Sequence, residues 1–165
     1  MGRTLRDGRG TDVFNAVAGY TSLNDVSARD WANEVLPGLG QDWFMHKAFD
    51  DFTPLGPTIT PRRFVPNPQA LDVTLTVNGV VKQASNTSGM IFSIVDILQH
   101  LSSIMTLEPG DVVATGTPAG VGFGRQPPQR LMPGDAVVVR IEGLSELHNT
   151  VGPRGERHRL QGAQA

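Results

Sequence analysis

Between residues 71 and 85 the chain reads Leu71-Asp72-Val73-Thr74-Leu75-Thr76-Val77, then Asn78-Gly79, then Val80-Val81-Lys82-Gln83-Ala84-Ser85. The first run alternates at period two, and β-branched residues are frequent on both sides of the Asn-Gly pair. A type I′ turn needs positive φ at both central residues, which is why Asn-Gly joins two strands so well. The stretch predicts a tight antiparallel hairpin, and whatever else the chain builds must accommodate it.

A second organising stretch lies upstream. Val17, Gly19, Thr21 and Leu23 alternate with Ala18, Tyr20 and Ser22, as in a strand. Ser27-Ala28-Arg29-Asp30 then fits the Ser-x-x-Asp capping box of a helix reaching about Val35, before Pro37-Gly38-Leu39-Gly40 breaks it. Asp25 falls at the corner between strand and helix. A carboxylate there suits a hard cation, but it equally suits the amides of a turn. Lys47 opens a stretch to Pro57 whose prolines and glycine forbid regular helix, predicting extended chain over a surface. By itself it reads as a solvated loop lysine.

Residues 91–105 carry Ile91, Ile94, Val95, Leu98, Leu101, Ile104 and Met105 at helical spacing, with Ser88 as the expected N-cap. Met90 and Met105 read as core filler and His100 as a surface or semi-buried histidine rather than a ligand. Two near-identical turns follow, Glu108-Pro109-Gly110-Asp111 and Met132-Pro133-Gly134-Asp135. Pro-Gly supplies the central residues of a type II turn, so these aspartates read as turn residues, each launching a strand: Val112 to Thr115 and Ala136 to Ile141. Between them, Thr115-Gly116-Thr117-Pro118-Ala119-Gly120-Val121-Gly122 is either a cradle of amides and hydroxyls for an anion or a plain bend. No Gly-Lys-Ser/Thr closes it, so it is not a Walker A loop. A short helical turn at Thr11 to Asn15, a last hairpin with Leu147, Asn149 and Val151 on its return strand, and a frayed tail from Gly152 complete the reading.

Composition narrows the function classes. The 165 residues make one domain's worth of chain, and a formal net charge of −2 gives no electrostatic case for nucleic acid or an anionic membrane. Cysteine is absent, which excludes disulfides, zinc–thiolate sites and cysteine nucleophiles. No apolar run has the length of a membrane span, and the N-terminus has no apolar signal-peptide core, so a cytoplasmic location is expected.

Taken together, several motifs resemble the fumarylacetoacetate hydrolase family. They are Gly19-Tyr20-Thr21 with Asn24-Asp25-Val26-Ser27-Ala28-Arg29-Asp30, Lys47-Ala48-Phe49-Asp50 with Pro54-Leu55-Gly56-Pro57, Asn78-Gly79, Asn86-Thr87-Ser88 with Met90-Ile91-Phe92-Ser93, and Leu107 through Gly122. Their order and spacing match over residues 12–151, and the short bacterial form, similar to 2-hydroxyhepta-2,4-diene-1,7-dioate isomerase and the acylpyruvate hydrolases, fits best. The resemblance implies an α+β, β-rich fold in residues 1–151: a rolled mixed β-sandwich with two main helices, usually a homodimer. It further implies a Mg²⁺ or Mn²⁺ ion to which Asp25 contributes one of three carboxylates, with Lys47, Gly116 and Thr117 against a keto-acid substrate. In such chemistry the ion stabilises an enolate, Lys47 adds a cation beside the oxyanion, and Thr117 orients the substrate carboxylate.

The chain also departs from that pattern. The family's other two metal carboxylates come from a Glu-x-Glu strand, whereas the glutamates here are Glu34, Glu108, Glu142, Glu146 and Glu156. None of His46, His100, His148 and His158 begins a His-x-x-Glu dyad, and Ala32 stands where relatives usually carry a substrate-binding glutamine. Met1-Gly2-Arg3 therefore resembles an entry into the middle of a longer protein. The expectation is a metal-dependent enzyme of the family, a hydrolase, isomerase or decarboxylase acting on enolisable 2-oxo acids in aromatic or keto-acid catabolism, with weak metal affinity. The alternative is a catalytically impaired remnant that keeps the fold.

Overall fold

The computed structural model describes residues 1–29, 44 and 46–153. In chain order the elements are α1 (Thr11–Ala16), β1 (Gly19–Tyr20), β2 (Thr60–Pro61), β3 (Asp72–Val77), β4 (Val80–Asn86), α2 (Ile94–Ile104), β5 (Ala136–Ile141) and β6 (Leu147–Thr150), an α+β arrangement. Short 3₁₀ turns occupy Arg62–Phe64, Thr87–Gly89 and Gly122–Gly124. The expected helix beginning at Ser27 and reaching about Val35, its Ser27–Asp30 capping box, Ala32, and the tail beyond Pro153 fall outside the described residues wholly or in large part. Ser27 and Ala28 are themselves non-helical, and Arg29 lies in a turn.

The Asn-Gly hairpin forms as its sequence demands: φ is 51° at Asn78 and 78° at Gly79. β3 pairs with β4 on one side and with β5 on the other, and β5 pairs with β6, giving an antiparallel sheet of order β4-β3-β5-β6. Leu75 faces Gln83 but Thr76 faces Val81, so Lys82 is an extra residue in β4, a β-bulge. The second Pro-Gly turn closes around its aspartate. Asp135 accepts from the Met132 amide at 2.7 Å and from Asn78 Nδ2 at 2.8 Å, and these bonds hold its carboxyl below the usual carboxylate range.

The first Pro-Gly turn is built in the same way, with the Glu108 amide donating to Asp111 at 2.8 Å. Yet the strand expected to follow does not form, because Val112 to Thr115 joins no ladder among the described residues. A turn only delivers a strand; a neighbouring backbone must complete it. The Ala136 end of β5 meets Asn78 and β3, and Val112 meets no such partner.

Helix α2 starts later than expected. Ser93, not Ser88, is the N-cap: Ser93 Oγ accepts from the Asp96 amide at 3.1 Å and Asp96 Oδ2 accepts from the Ser93 amide at 2.9 Å. Ser88 instead belongs to a 3₁₀ turn capped by Asn86. Because the helix begins at Ile94, Ile91 lies outside it and is 92 % exposed. Ile104 and Met105, also expected inside, are exposed at the helix end, whereas Met90 packs against the core as expected. His100 is exposed.

The core sits where α1 and α2 meet the N-terminal segment. Leu5, Val13, Ala16, Ile94, Leu98 and Leu107 form one buried cluster. Leu5 and Leu107 exchange both backbone bonds, at 2.8 and 2.9 Å, tying residues before α1 to the chain leaving α2. Val137, Val139 and Leu147 bury the inner face of β5 and β6. No helix among the described residues is long and apolar enough to cross a membrane.

Candidate active site

The strand expected from Val17 to Leu23 forms a ladder only at Gly19–Tyr20, paired with Thr60–Pro61. A separate bridge joins Leu23 to Leu55, with the Asn24 amide donating to Pro54 O at 3.1 Å and the Gly56 amide to Ser22 O at 2.6 Å. Those bonds fix the backbone immediately before Asp25. The buried Ser22 hydroxyl donates to Ser145 O at 2.9 Å, anchoring the same corner to the turn between β5 and β6. From the other side, the Ala28 amide donates to His46 O at 2.9 Å, which delivers Lys47 to Asp25.

The result is an ion pair between Lys47 Nζ and Asp25 Oδ2. Lys47 is 28 % exposed and Asp25 39 %, so the pair is half-sheltered and worth at most about 1 kcal/mol of stability. Its importance is positional: a cation and its counter-ion are held at a fixed place on the surface. The chain that carries Lys47 is not extended as expected. Residues 47–53 turn, with positive φ at Asp51 and Thr53, and the extended bridge is confined to Leu55.

The glycine-punctuated loop is held by β4. Gln83, 8 % exposed, donates from Nε2 to Thr117 Oγ1 at 2.9 Å and to Pro118 O at 2.7 Å. The bulge at Lys82 leaves its carbonyl free of the ladder, and Arg125 takes it: Nη2 donates to Lys82 O at 2.6 Å while Nε donates to Gly120 O at 3.2 Å. Gly120 has φ 104° and sits so close that an added Cβ would lie 2.3 Å from Lys82 O. Only glycine fits there. Gly116 and Thr117 remain exposed above this base. The Arg29 guanidinium lies 5.4 Å from the Phe123 ring centroid, joining the Asp25 corner to the loop.

Of the residues singled out from sequence, Asp25 and Lys47 therefore touch each other. Thr117 is held separately, by Gln83. Gln83 and Arg125 escaped the sequence reading. Gln83 left at most a weak signal, a polar side chain opposite Leu75 in a hairpin that mixes polar and apolar residues on both strands; Arg125 left none.

The chain matches the family described as fumarylacetoacetate (FAA) hydrolase C-terminal over residues 1–152. It belongs to the fumarylacetoacetate hydrolase family. Rat mitochondrial oxaloacetate tautomerase Fahd2a is 41 % identical over 151 residues, 92 % of this chain and 47 % of the relative. A fumarylacetoacetate hydrolase from psychrophilic Exiguobacterium antarcticum superposes with a TM-score of 0.87 at 42 % identity, over 93 % of this chain and 53 % of that one. Fumarylpyruvate hydrolase from Pseudomonas aeruginosa, solved with Mn²⁺ and pyruvate, superposes with a TM-score of 0.82 at 31 % identity, over 93 % of this chain and 62 % of that one. The chain spans about half the length of the curated relatives it matches. Relatives in the family are hydrolases, isomerases and tautomerases.

The Mn²⁺ of that relative invites a test of fit. Among the described residues no group of three His, Asp or Glu side chains converges, and one oxygen of Asp25 is already engaged by an ammonium. One carboxylate beside a fixed cation does not make a cage for a divalent ion. Calorimetric titration of this chain with Mn²⁺ is expected to give no micromolar binding. A micromolar isotherm would show that further oxygen donors join Asp25.

Proposed function

We propose that this chain acts on small enolisable 2-oxo carboxylic acids, interconverting or cleaving them by way of an enolate. The observation that carries the reading is the Lys47–Asp25 pair at the strand corner. Its setting supports it: one relative is named for oxaloacetate and another holds pyruvate, both 2-oxo acids.

The chemistry follows from charge. A water molecule that takes the proton from the enol oxygen, or from the carbon next to the ketone, leaves negative charge that settles on the oxygen. The Lys47 ammonium stabilises that charge, and Asp25 keeps the ammonium in place between turnovers. The exposed Thr117 hydroxyl and the Gly116 amide hold the substrate carboxylate, so that the reacting oxygen falls to the cation. Re-protonation at carbon gives the ketone; in an acylpyruvate, water adds to the distal acyl carbonyl, the bond from that carbon to the neighbouring CH₂ breaks, and the 2-oxo acid leaves as the same enolate, to be protonated at carbon. A homodimer is part of the same proposal, and exposed Phe64, Ile91 and Phe92 offer apolar surface for it.

The test is direct. The purified chain is mixed with enolic oxaloacetate, loss of the enol absorbance is followed, and an acylpyruvate is assayed in parallel for released pyruvate. Acceleration over buffer, reduced in Asp25→Ala, is the expected result; background rates with both substrates would sink the reading. A second reading, a chain that keeps the fold without turnover, is favoured by the absence of a group of three His, Asp or Glu side chains among the described residues. The same assay separates the two.

A further inference from the structure

We infer that Gln83 is a positioning residue that fixes the polarity of the Thr117 hydroxyl and so makes the loop selective for a carboxylate. The inference rests on the functional reading above, because it concerns how the same site holds its substrate.

The argument begins with Pro118. Its carbonyl can only accept, so the group of Gln83 that faces it at 2.7 Å must be the amide NH₂ and not the amide oxygen. A flipped side chain would place two oxygens against each other. That single contact settles the orientation of the whole amide. Nε2 carries two hydrogens, one for Pro118 O and one for Thr117 Oγ1 at 2.9 Å. The Thr117 oxygen is therefore the acceptor in its bond with Gln83, and its own hydrogen is turned away from β4. Thr117 is exposed, so that hydrogen points to whatever binds above the loop.

A hydroxyl left to itself donates or accepts as the partner requires. Here Gln83 occupies one lone pair of the oxygen and leaves the hydroxyl's hydrogen for the ligand. A carboxylate, which only accepts, satisfies such a donor fully. The arrangement is rigid because Gln83 is buried in a strand and because Arg125 and Gly120 clamp the same loop to the bulge at Lys82. Burial also means that an unpaired Gln83 amide would be costly, which keeps both bonds made.

The test is a double-mutant cycle read by pyruvate titration of the ¹⁵N-labelled chain, with the Gly116 amide signal as reporter. Gln83→Met removes the donor at similar volume, and Thr117→Val removes the hydroxyl. Gln83→Met is expected to weaken pyruvate binding about tenfold in the wild-type background and to change it less than twofold in the Thr117→Val background. A merely structural role for Gln83 would give equal losses in both backgrounds, and that result, or no loss in either, overturns the inference while leaving the functional reading intact. Failure of the wild-type chain to bind pyruvate overturns both. If Gln83→Met does not fold, the Gln83 side-chain amide signals are compared between wild type and Thr117→Val. A shift of one of the two protons is expected; unchanged signals overturn the assignment.

Discussion

Lys47→Met is expected to lower kcat/KM for enolic oxaloacetate by about 10²–10³-fold, the usual cost of removing one donor aimed at a developing oxyanion. Methionine keeps most of the length of lysine and loses only the charge, so the change isolates electrostatics from packing. Stability should move by less than about 1 kcal/mol, because the pair with Asp25 is half-exposed. Asp25→Asn should cost less than Lys47→Met, since the ammonium stays but is held less firmly. Arginine at position 47 should not restore the rate, because its planar fork cannot occupy the place of a compact ammonium. Steady-state kinetics with thermal melts on the same preparations decide the matter. Activity within threefold of wild type in Lys47→Met would remove Lys47 from the chemistry.

The largest effect on stability is expected at Leu98. Its side chain is 3 % exposed in the cluster shared by α1, α2 and the N-terminal segment. Leu98→Ala removes buried methyl groups and leaves a cavity walled by Leu5, Val13 and Leu107, which cannot close it because two backbone bonds tie Leu5 to Leu107. The cost should be about 2–5 kcal/mol, and at roughly 2–4 °C per kcal/mol for a chain of this size Tm should fall by about 4–20 °C. Ile91→Ala is the matched control. On the helical spacing of residues 91–105 it would cost as much as Leu98→Ala; with Ile91 outside the helix and exposed, it should stay within about 0.5 kcal/mol. Comparable melts for the two variants would mean that α2 begins earlier and buries a different face.

The Asn78-Gly79 hairpin, strand β5, the return strand β6 and the two Pro-Gly-Asp turns were all legible in the sequence. Each is decided within a few residues, by a φ that few side chains tolerate or by a side chain closing its own turn. The motifs of the Asp25 corner, Lys47 and the Thr117 loop were legible too, and with them the family. What sequence could not supply was which surfaces meet. The Ser93-x-x-Asp96 capping box was itself legible, but the apolar spacing that includes Ile91 pointed to a start at Ser88, and only packing shows that Ile91 faces no core. Ile91, Ile104 and Met105 have the right spacing for a core, but spacing knows nothing of where the opposing surface ends. Val112 to Thr115 has strand composition, and composition does not provide a neighbour. Only the tertiary structure set Lys47 against Asp25, and only it produced the bulge at Lys82 that hands a free carbonyl to Arg125. Local sequence fixes a backbone angle because the forces are short-ranged; a contact between residues twenty or forty positions apart is settled by the packing of everything between them.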